Sequence, residues 1–341
     1  MNPKPNRIVV FGGSGFVGSR LVPRLCAAGH EVRIADLTAS RQYPGLSVTC
    51  DVRCYESVRR ACEGMDVIYN LAAVHRDDVR PLSLYDAVNV EGARQICRAA
   101  EDAGVRRLMF TSSVAVYGLP EGETNEDSEP RPFNEYGRTK LAAEAVYRQW
   151  SAGNERNLII IRPTVLFGEG NRGNLYNLFE QIRSGRFLMI GDGRNRKSIA
   201  YVENAAAFLQ FVLRFETGEH VFNYVDNPDF DMNTLVALVR AALGRKGGGR
   251  RSVPYAAGYA AGLLFDGASR VLRRSLPISS VRIKKFCATT VFSARKAAEA
   301  GFVAPIPLRA AVERTIAAEF GSRSCAVGPP LSSLQAARRG S

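Results

Sequence analysis

Of the twelve tyrosines in this 341-residue chain, only Tyr136 has a lysine four residues later, Lys140. On a helix that spacing stacks both side chains on one face. A phenol titrates near ~10 in water, and an adjacent ammonium favours the phenolate and brings the group toward neutrality as a general base. Pairs of this kind also arise on ordinary helix surfaces, so the reading needs a third group. Thr111-Ser112-Ser113 supplies hydroxyls directly after an apolar run. A hydroxyl there can hydrogen-bond the substrate oxygen whose proton Tyr136 removes.

These groups need a frame that holds them together. The first half of the chain alternates short β-branched runs with longer segments of helical period, the pattern of a parallel sheet covered by helices on both faces. The spacing predicts strands at Arg7–Phe11, Glu31–Ala35, Leu46–Thr49, Val67–Asn70, Arg107–Thr111 and Leu158–Arg162. Helices are predicted at Phe16–Ala28, Tyr55–Cys62, Leu84–Ala103 and Tyr136–Trp150. Right-handed crossovers then give an α/β, Rossmann-type doubly wound parallel sheet, whose ligands sit beyond the carboxyl ends of the strands. Thr111–Ser113 lies at such an end. Past Arg162 the alternation weakens, and helices are expected at Leu175–Ser184, Glu203–Phe215 and Asn233–Leu243. This predicts a nucleotide-binding domain over 1–165 and a smaller C-terminal substrate-binding domain over 166–320, with parts of 198–226 returning to the sheet. Leu119–Asn134 is read as a long functional loop, and 321–341 as a disordered basic tail.

Directly after the first strand stands Gly12-Gly13-Ser14-Gly15-Phe16-Val17-Gly18. Glycines at this spacing permit a tight turn, close approach of backbone N–H groups to a pyrophosphate, and close helix–strand packing. The helix N-terminus adds partial positive charge. Asp36, ending the second strand, can bind both ribose hydroxyls of NAD and would repel the 2′-phosphate of NADP. Asp51-Val52 either reaches the adenine or forms an ordinary turn. Leu71, Ala72 and Ala73 leave room for a dinucleotide after the fourth strand, and Lys140 can also hold the ribose. NAD is the predicted cofactor.

Composition narrows the classes. Hydrophobic residues make up 46% of the chain, yet no apolar run approaches the ~20 residues that cross a bilayer. Without a signal-like N-terminus, the expected location is the cytoplasm. Seven scattered cysteines with no Cys-x-x-Cys pair predict neither disulfides nor a metal site. The net charge of +13 is localised: residues 241–341 hold 17 basic and four acidic side chains, while the first 240 balance. Such a surface attracts phosphates on a nucleotide, RNA or an anionic membrane, or is simply solvated. No specific nucleic-acid partner is expected. Val253–Leu272 is read as a packed helix of the small domain or, being apolar and followed by arginines, as a weak peripheral membrane contact.

Taken together, GGSGFVG, NLAA, TSSVAVYG, YGRTK, RPTVLFG and GDGRNRKSIAYVEN resemble the extended short-chain dehydrogenases/reductases, specifically their NAD-dependent epimerase/dehydratase branch acting on nucleotide sugars. The resemblance spans roughly residues 7 to 320. It implies Ser113, Tyr136 and Lys140 as the catalytic groups. It places Gly12, Gly15, Phe16, Val17, Gly18, Asp36, Asp51 and Pro163 around the cofactor, with Asn89 as a helix residue supporting the site. For the substrate it implies Asn174, Arg196 and Lys197 near the diphosphate. His75, by its place beyond the fourth strand, is expected beside the sugar cleft, either as a contact or as a loop residue without a catalytic task. Departures narrow the reaction. Val114 and Ala115 replace the Asp-Glu pair of 4,6-dehydratases, Val165 stands where an Asn often meets the diphosphate, and Lys197 replaces an Arg. The expectation is a nucleotide-sugar 4-epimerase working through transient C4 oxidation. The alternatives are an NAD(P)H-dependent 4-keto nucleotide-sugar reductase in surface polysaccharide synthesis, a sterol-type dehydrogenase, or a non-catalytic NAD-binding scaffold. The resemblance also implies a homodimer through the helices at Leu84–Ala103 and Tyr136–Trp150.

Overall fold

The computed structural model describes residues 5–76, 79–119, 122–153, 155–245, 252–272 and 279–321, with the side chains of 268–272 outside the description. Most of the expected basic tail, and the basic side chains Lys246, Arg250, Arg251, Arg270, Arg273 and Arg274 of the C-terminal third, therefore lie outside the described residues.

Seven strands form one parallel sheet: β1 (Arg7–Phe11), β2 (Glu31–Asp36), β3 (Ser47–Thr49), β4 (Val67–Asn70), β5 (Arg107–Thr111), β6 (Asn157–Pro163) and β7 (Gly218–Tyr224). Their spatial order is β3-β2-β1-β4-β5-β6-β7. The direction of winding reverses between β1 and β4, and a crevice opens there beyond the strand ends. Register makes the juxtaposition concrete, because Phe11 pairs with Ala35 on one side and Asn70 on the other. The segments leaving β1 and β4, starting at Gly12 and Leu71, therefore run side by side.

Strand alternation sorts the apolar residues between the two faces. Val9, Phe11, Ile68, Leu108, Phe110, Leu158 and Ile160 face helices α2 (Tyr55–Cys62), α3 (Gly92–Asp102) and α4 (Glu135–Ser151). Ile8, Val10, Ile34, Tyr69, Met109, Ile159 and Ile161 face α1 (Gly18–Ala27) and, following β6, a helix at Val202–Phe211. The chain thus buries both sides of a Val/Ile-rich sheet, as parallel sheets require.

Beyond β6 the chain builds a second core from Phe167, Phe179, Met189, Tyr201, Leu235, Val239, Val312 and Ile316. The longer helices of this part of the chain are α5 (Asn174–Arg183), α6 (Val202–Phe211), α7 (Met232–Ala242), α8 (Tyr255–Leu272), α9 (Ser280–Cys287) and α10 (Leu308–Phe320). Between α6 and α7 the chain returns to the main sheet as β7, in register with the whole of β6. The loop at 119–134 is not free-standing. Its Glu123–Thr124 pairs with Val291–Phe292 of the C-terminal region.

Several boundaries shift from expectation, the largest being the expected Glu203–Phe215 helix, which ends at Phe211; two of the shifts have clear local reasons. The first helix begins at Gly18 rather than Phe16, because the glycine loop must finish its turn before helical bonding starts. The expected Leu84–Ala103 helix is interrupted by a turn of wider, i→i+5 bonding at Asp86–Glu91. Such bulges commonly mark functional positions, and this one contains Asn89.

Candidate active site

The glycine loop is shaped by contact. Gly12 has φ +74°, and a Cβ there would stand 2.7 Å from the Ala72 backbone nitrogen. No other residue type fits both the dihedral and the space. Ser14 N–H donates to the Asp36 carboxylate at 3.1 Å, and Thr38 N–H donates to its other oxygen at 3.3 Å. Each oxygen keeps lone-pair capacity for a ribose hydroxyl, at the edge of the loop where a dinucleotide would lie. Asp51 is bound by Arg53, whose Nε donates to Oδ1 and whose terminal nitrogen donates to Oδ2, and this holds its carboxyl below the usual range. Val52 is buried. Gly12, Gly15, Phe16, Val17 and Gly18 lie between β1 and α1, and Leu71, Ala72 and Ala73 line the opposite segment. A cradle that a Cβ would fill, with a carboxylate at its rim, fits NAD.

Asn134 caps α4 by accepting from Gly137 N–H at 2.8 Å, which starts the helix at Glu135, one residue before Tyr136. Gly137 is needed because a Cβ would lie 2.4 Å from the Ala115 carbonyl oxygen. That approach presses the first turn of α4 against the segment leaving β5, so Tyr136 and Ser113 come from adjoining backbone. Ser113 caps the short turn Val114–Tyr117, its hydroxyl accepting from Ala115 N–H at 3.1 Å. Tyr136 is half-buried.

Lys140 is buried, and its ammonium donates to the Thr111 carbonyl at 2.7 Å. Burial pushes it down from 10.5 to about 7, against partial opposition from the nearby Glu144. The Thr111 hydroxyl is buried with no hydrogen-bond partner among the described residues, a polar atom left open beside the lysine at the strand end.

Two residues that sequence reasoning passed over organise this end of the sheet. Glu144, four residues after Lys140, is fully buried, accepting from Ser112 Oγ at 2.6 Å and from Arg162 at 2.9 and 2.6 Å. Burial works against the charge on Arg162, but the hydrogen bonds and attraction of Glu144 outweigh it and keep it firmly protonated. Arg162 also donates to the Tyr117 hydroxyl, which donates to Asn223 of β7. Ser112 is thereby spent on Glu144, and Ser113 is the serine outside that buried pair. The signal was present: an arginine closing the apolar Leu158–Ile161 run of a buried strand demands a buried acid.

Asn89 accepts from Val74 N–H, donates to the Val74 carbonyl and donates to Thr139 Oγ. It ties the segment after β4 to α4 at the residue preceding Lys140. Pro163 is buried at the end of β6. His75 and Asn174 are not buried, the latter standing as the first residue of α5. Arg196 is exposed, 3.7 Å from Asp229. Lys197 donates to the Lys285 carbonyl in the last turn of α9 at 2.8 Å, and burial lowers it to about 8. Ser113, Tyr136 and Lys140 thus share one locus, whereas Arg196 and Lys197 sit on the C-terminal region. An open cleft of about 720 Å³ between Arg20, Arg24, Glu203 and Arg314 is lined by none of the three.

Residues 8–224 match a family model described as the NAD dependent epimerase/dehydratase family. The chain is 46% identical over 318 residues to the N-acetyl-alpha-D-glucosaminyl-diphospho-ditrans,octacis-undecaprenol 4-epimerase of Escherichia coli O157:H7, covering 92% of this chain and 96% of that protein. It is 33% identical over 215 residues to a 3-beta-hydroxysteroid dehydrogenase of Mycolicibacterium neoaurum, 58% of each chain. The solved UDP-glucose 4-epimerase of Thermus thermophilus in complex with NAD superposes with a TM-score of 0.71 at 22% identity, covering 92% of this chain and 98% of that one. At that identity the likeness speaks for the fold.

Proposed function

The chain belongs to the NAD-dependent epimerase/dehydratase family of enzymes, and from that premise we propose that it interconverts the C4 epimers of a sugar carried on a diphosphate. The observation that carries this reading is the likeness to the Escherichia coli 4-epimerase. A match over 92% of the chain extends well past residue 224, into the region that would meet the substrate. That relative's name specifies a polyprenol-linked diphosphate, and we take the same carrier class for this chain. A nucleotide carrier, as in the solved neighbours, is the second reading, since the C4 chemistry does not depend on what lies beyond the diphosphate.

NAD, when bound, supplies a reversible two-electron acceptor. The chain's own residues handle the proton and the positioning. Tyr136 as phenolate accepts the C4 hydroxyl proton, and Ser113 holds the same oxygen by a hydrogen bond. Lys140, fixed by the Thr111 carbonyl, places its charge one helical turn from the phenol and stabilises the phenolate. After the sugar presents its other face, Tyr136 returns the proton, so nothing is consumed. Lys197 and Arg196 offer cations for the diphosphate.

We place the reaction on the cytoplasmic side, in keeping with six described cysteines that are all free thiols. A homodimer would join through the outer faces of α3 and α4, where Ala142, Ala145 and Val146 reach the surface. The decisive assay offers GlcNAc-diphospho-polyprenol and UDP-GlcNAc separately, without added coenzyme, and analyses the released sugar. C4 inversion of the lipid-linked sugar supports the proposal, while inversion of UDP-GlcNAc alone transfers it to the nucleotide carrier. A requirement for stoichiometric NADH, or no inversion of either, refutes it.

A further inference from the structure

Helix α8 is inside out for a helix in water. Residues 252–265 contain no charged side chain, yet much of this stretch faces outward. Leu263 is 51% exposed, Leu264 76% and Phe265 38%. The face turned to the protein carries glycines and a carboxylate. Gly258, Gly262 and Asp266 recur every four residues and so share one side. Gly258 packs on Ile190, Gly262 packs against Ser280 and Ile283, and Asp266 accepts from Ser280 N–H and Oγ at 3.2 and 2.5 Å. The polar group pins α8 to α9 while leucines meet solvent. A soluble surface helix shows the opposite arrangement.

We infer that the outer face of the α8–α9 hairpin docks on the surface of an anionic lipid bilayer. The occupant follows from charge. Next to the apolar face, α9 exposes Val281, Arg282 and Lys284, within a segment where basic residues outnumber acids by 17 to four. Apolar side chains rimmed by cations suit the interface between anionic headgroups and acyl chains. A second copy would bring the same cations against each other. No described helix is long and apolar enough to cross a membrane, so the hairpin lies in the plane.

The surface also continues toward the chemistry. Lys285 of α9 places its ammonium 4.3 Å above the Phe133 ring, and its carbonyl holds Lys197. Phe133 directly precedes Asn134, the cap of the helix that carries Tyr136. Resting on the proposed lipid-linked substrate, this path would let a diphosphate at headgroup depth reach Lys197 while its polyprenyl chain stays in the bilayer.

The test is flotation of the full-length protein with phosphatidylglycerol-containing vesicles that hold no polyprenyl lipid, against pure phosphatidylcholine vesicles. The expected result is binding to the anionic vesicles, weakened roughly tenfold or more by Leu263→Ser/Leu264→Ser/Phe265→Ser and severalfold by Arg282→Glu/Lys284→Glu. Thermal midpoints and turnover of a short-chain, water-soluble substrate should stay unchanged. No flotation of the parent protein, equal flotation of the triple variant, or a parent dimer that the triple variant dissolves without any vesicle binding would each overturn the inference. Vesicle binding by a protein that epimerises no diphosphate-linked sugar would uphold the surface and refute only the catalytic reading.

Discussion

Replacing Lys140 with methionine should make the protein more stable and nearly inactive. The ammonium is buried, and burial lowers it from 10.5 to about 7. The unfolded chain, with lysine at its ordinary value, therefore binds more protons than the native protein between those pH values, so wild-type stability rises with pH across that window. Below pH 7 the whole penalty is present. A difference of ~3.5 pH units corresponds to ~5 kcal/mol. Against it stands the bond to the Thr111 carbonyl, a charged hydrogen bond of about 1.5–3 kcal/mol. A methionine fills similar volume, which leaves a net gain of ~2 kcal/mol, or about 3 °C in a chain of this length. The assay is calorimetry of the cofactor-free proteins at pH 6.5, 8 and 9.5, alongside C4 inversion at pH 7. The variant should melt higher at pH 6.5, its advantage should shrink by pH 9.5, and its rate should fall by ~10² or more. A variant that melts lower at pH 6.5, or an advantage independent of pH, would show that the lysine is not held against its charge.

Tyr136→Phe should lower C4 inversion by ~10²–10⁴ with little change in melting, read by sugar analysis and calorimetry on the same preparation. Glu144→Gln should cost about 3–5 kcal/mol in urea unfolding, because it leaves the Arg162 guanidinium buried without its anion. Alkylation of the native protein should mark Cys54, which is exposed, before Cys62 and Cys97, whose thiols burial pushes up, Cys62 to about 12. Peptide mapping would read the order, and early labelling of Cys97 would contradict the packing of α3.

The fold class was legible because a parallel sheet buried on both faces writes itself as short apolar strands at regular spacing. Six strand positions followed from that pattern alone, Arg7–Phe11, Val67–Asn70 and Arg107–Thr111 to the residue. The Tyr136–Lys140 spacing and the glycine loop were legible for a related reason: local geometry, a helical turn or a tight loop, fixes which residue types can stand there. What escaped was non-local. Glu144 reads in sequence as one more helix-surface acid, and only the crossing of α4 over β5 and β6 turns it inward onto Arg162 and Ser112. Lys197 likewise reads as a free cation, whereas the folding of the C-terminal region brings it to the last turn of α9, 88 residues further along the chain. Val253–Leu272 was ambiguous because its composition suits a core helix, and the direction of its leucines depends on glycines that make no hydrophobic signal.

The return of the chain to the main sheet as β7 limits how this protein could be taken apart. Every residue of β6 is buried, and β7 covers its outer edge along its full length. A truncation near residue 165, where a reader of the motifs would cut, removes β7 and uncovers a row of unpaired amides beside Leu158–Ile161. Such an edge invites other chains to pair with it. The nucleotide half should therefore aggregate when expressed by itself, and exchange of the C-terminal region between relatives would need to carry residues 218–224 along or graft them back.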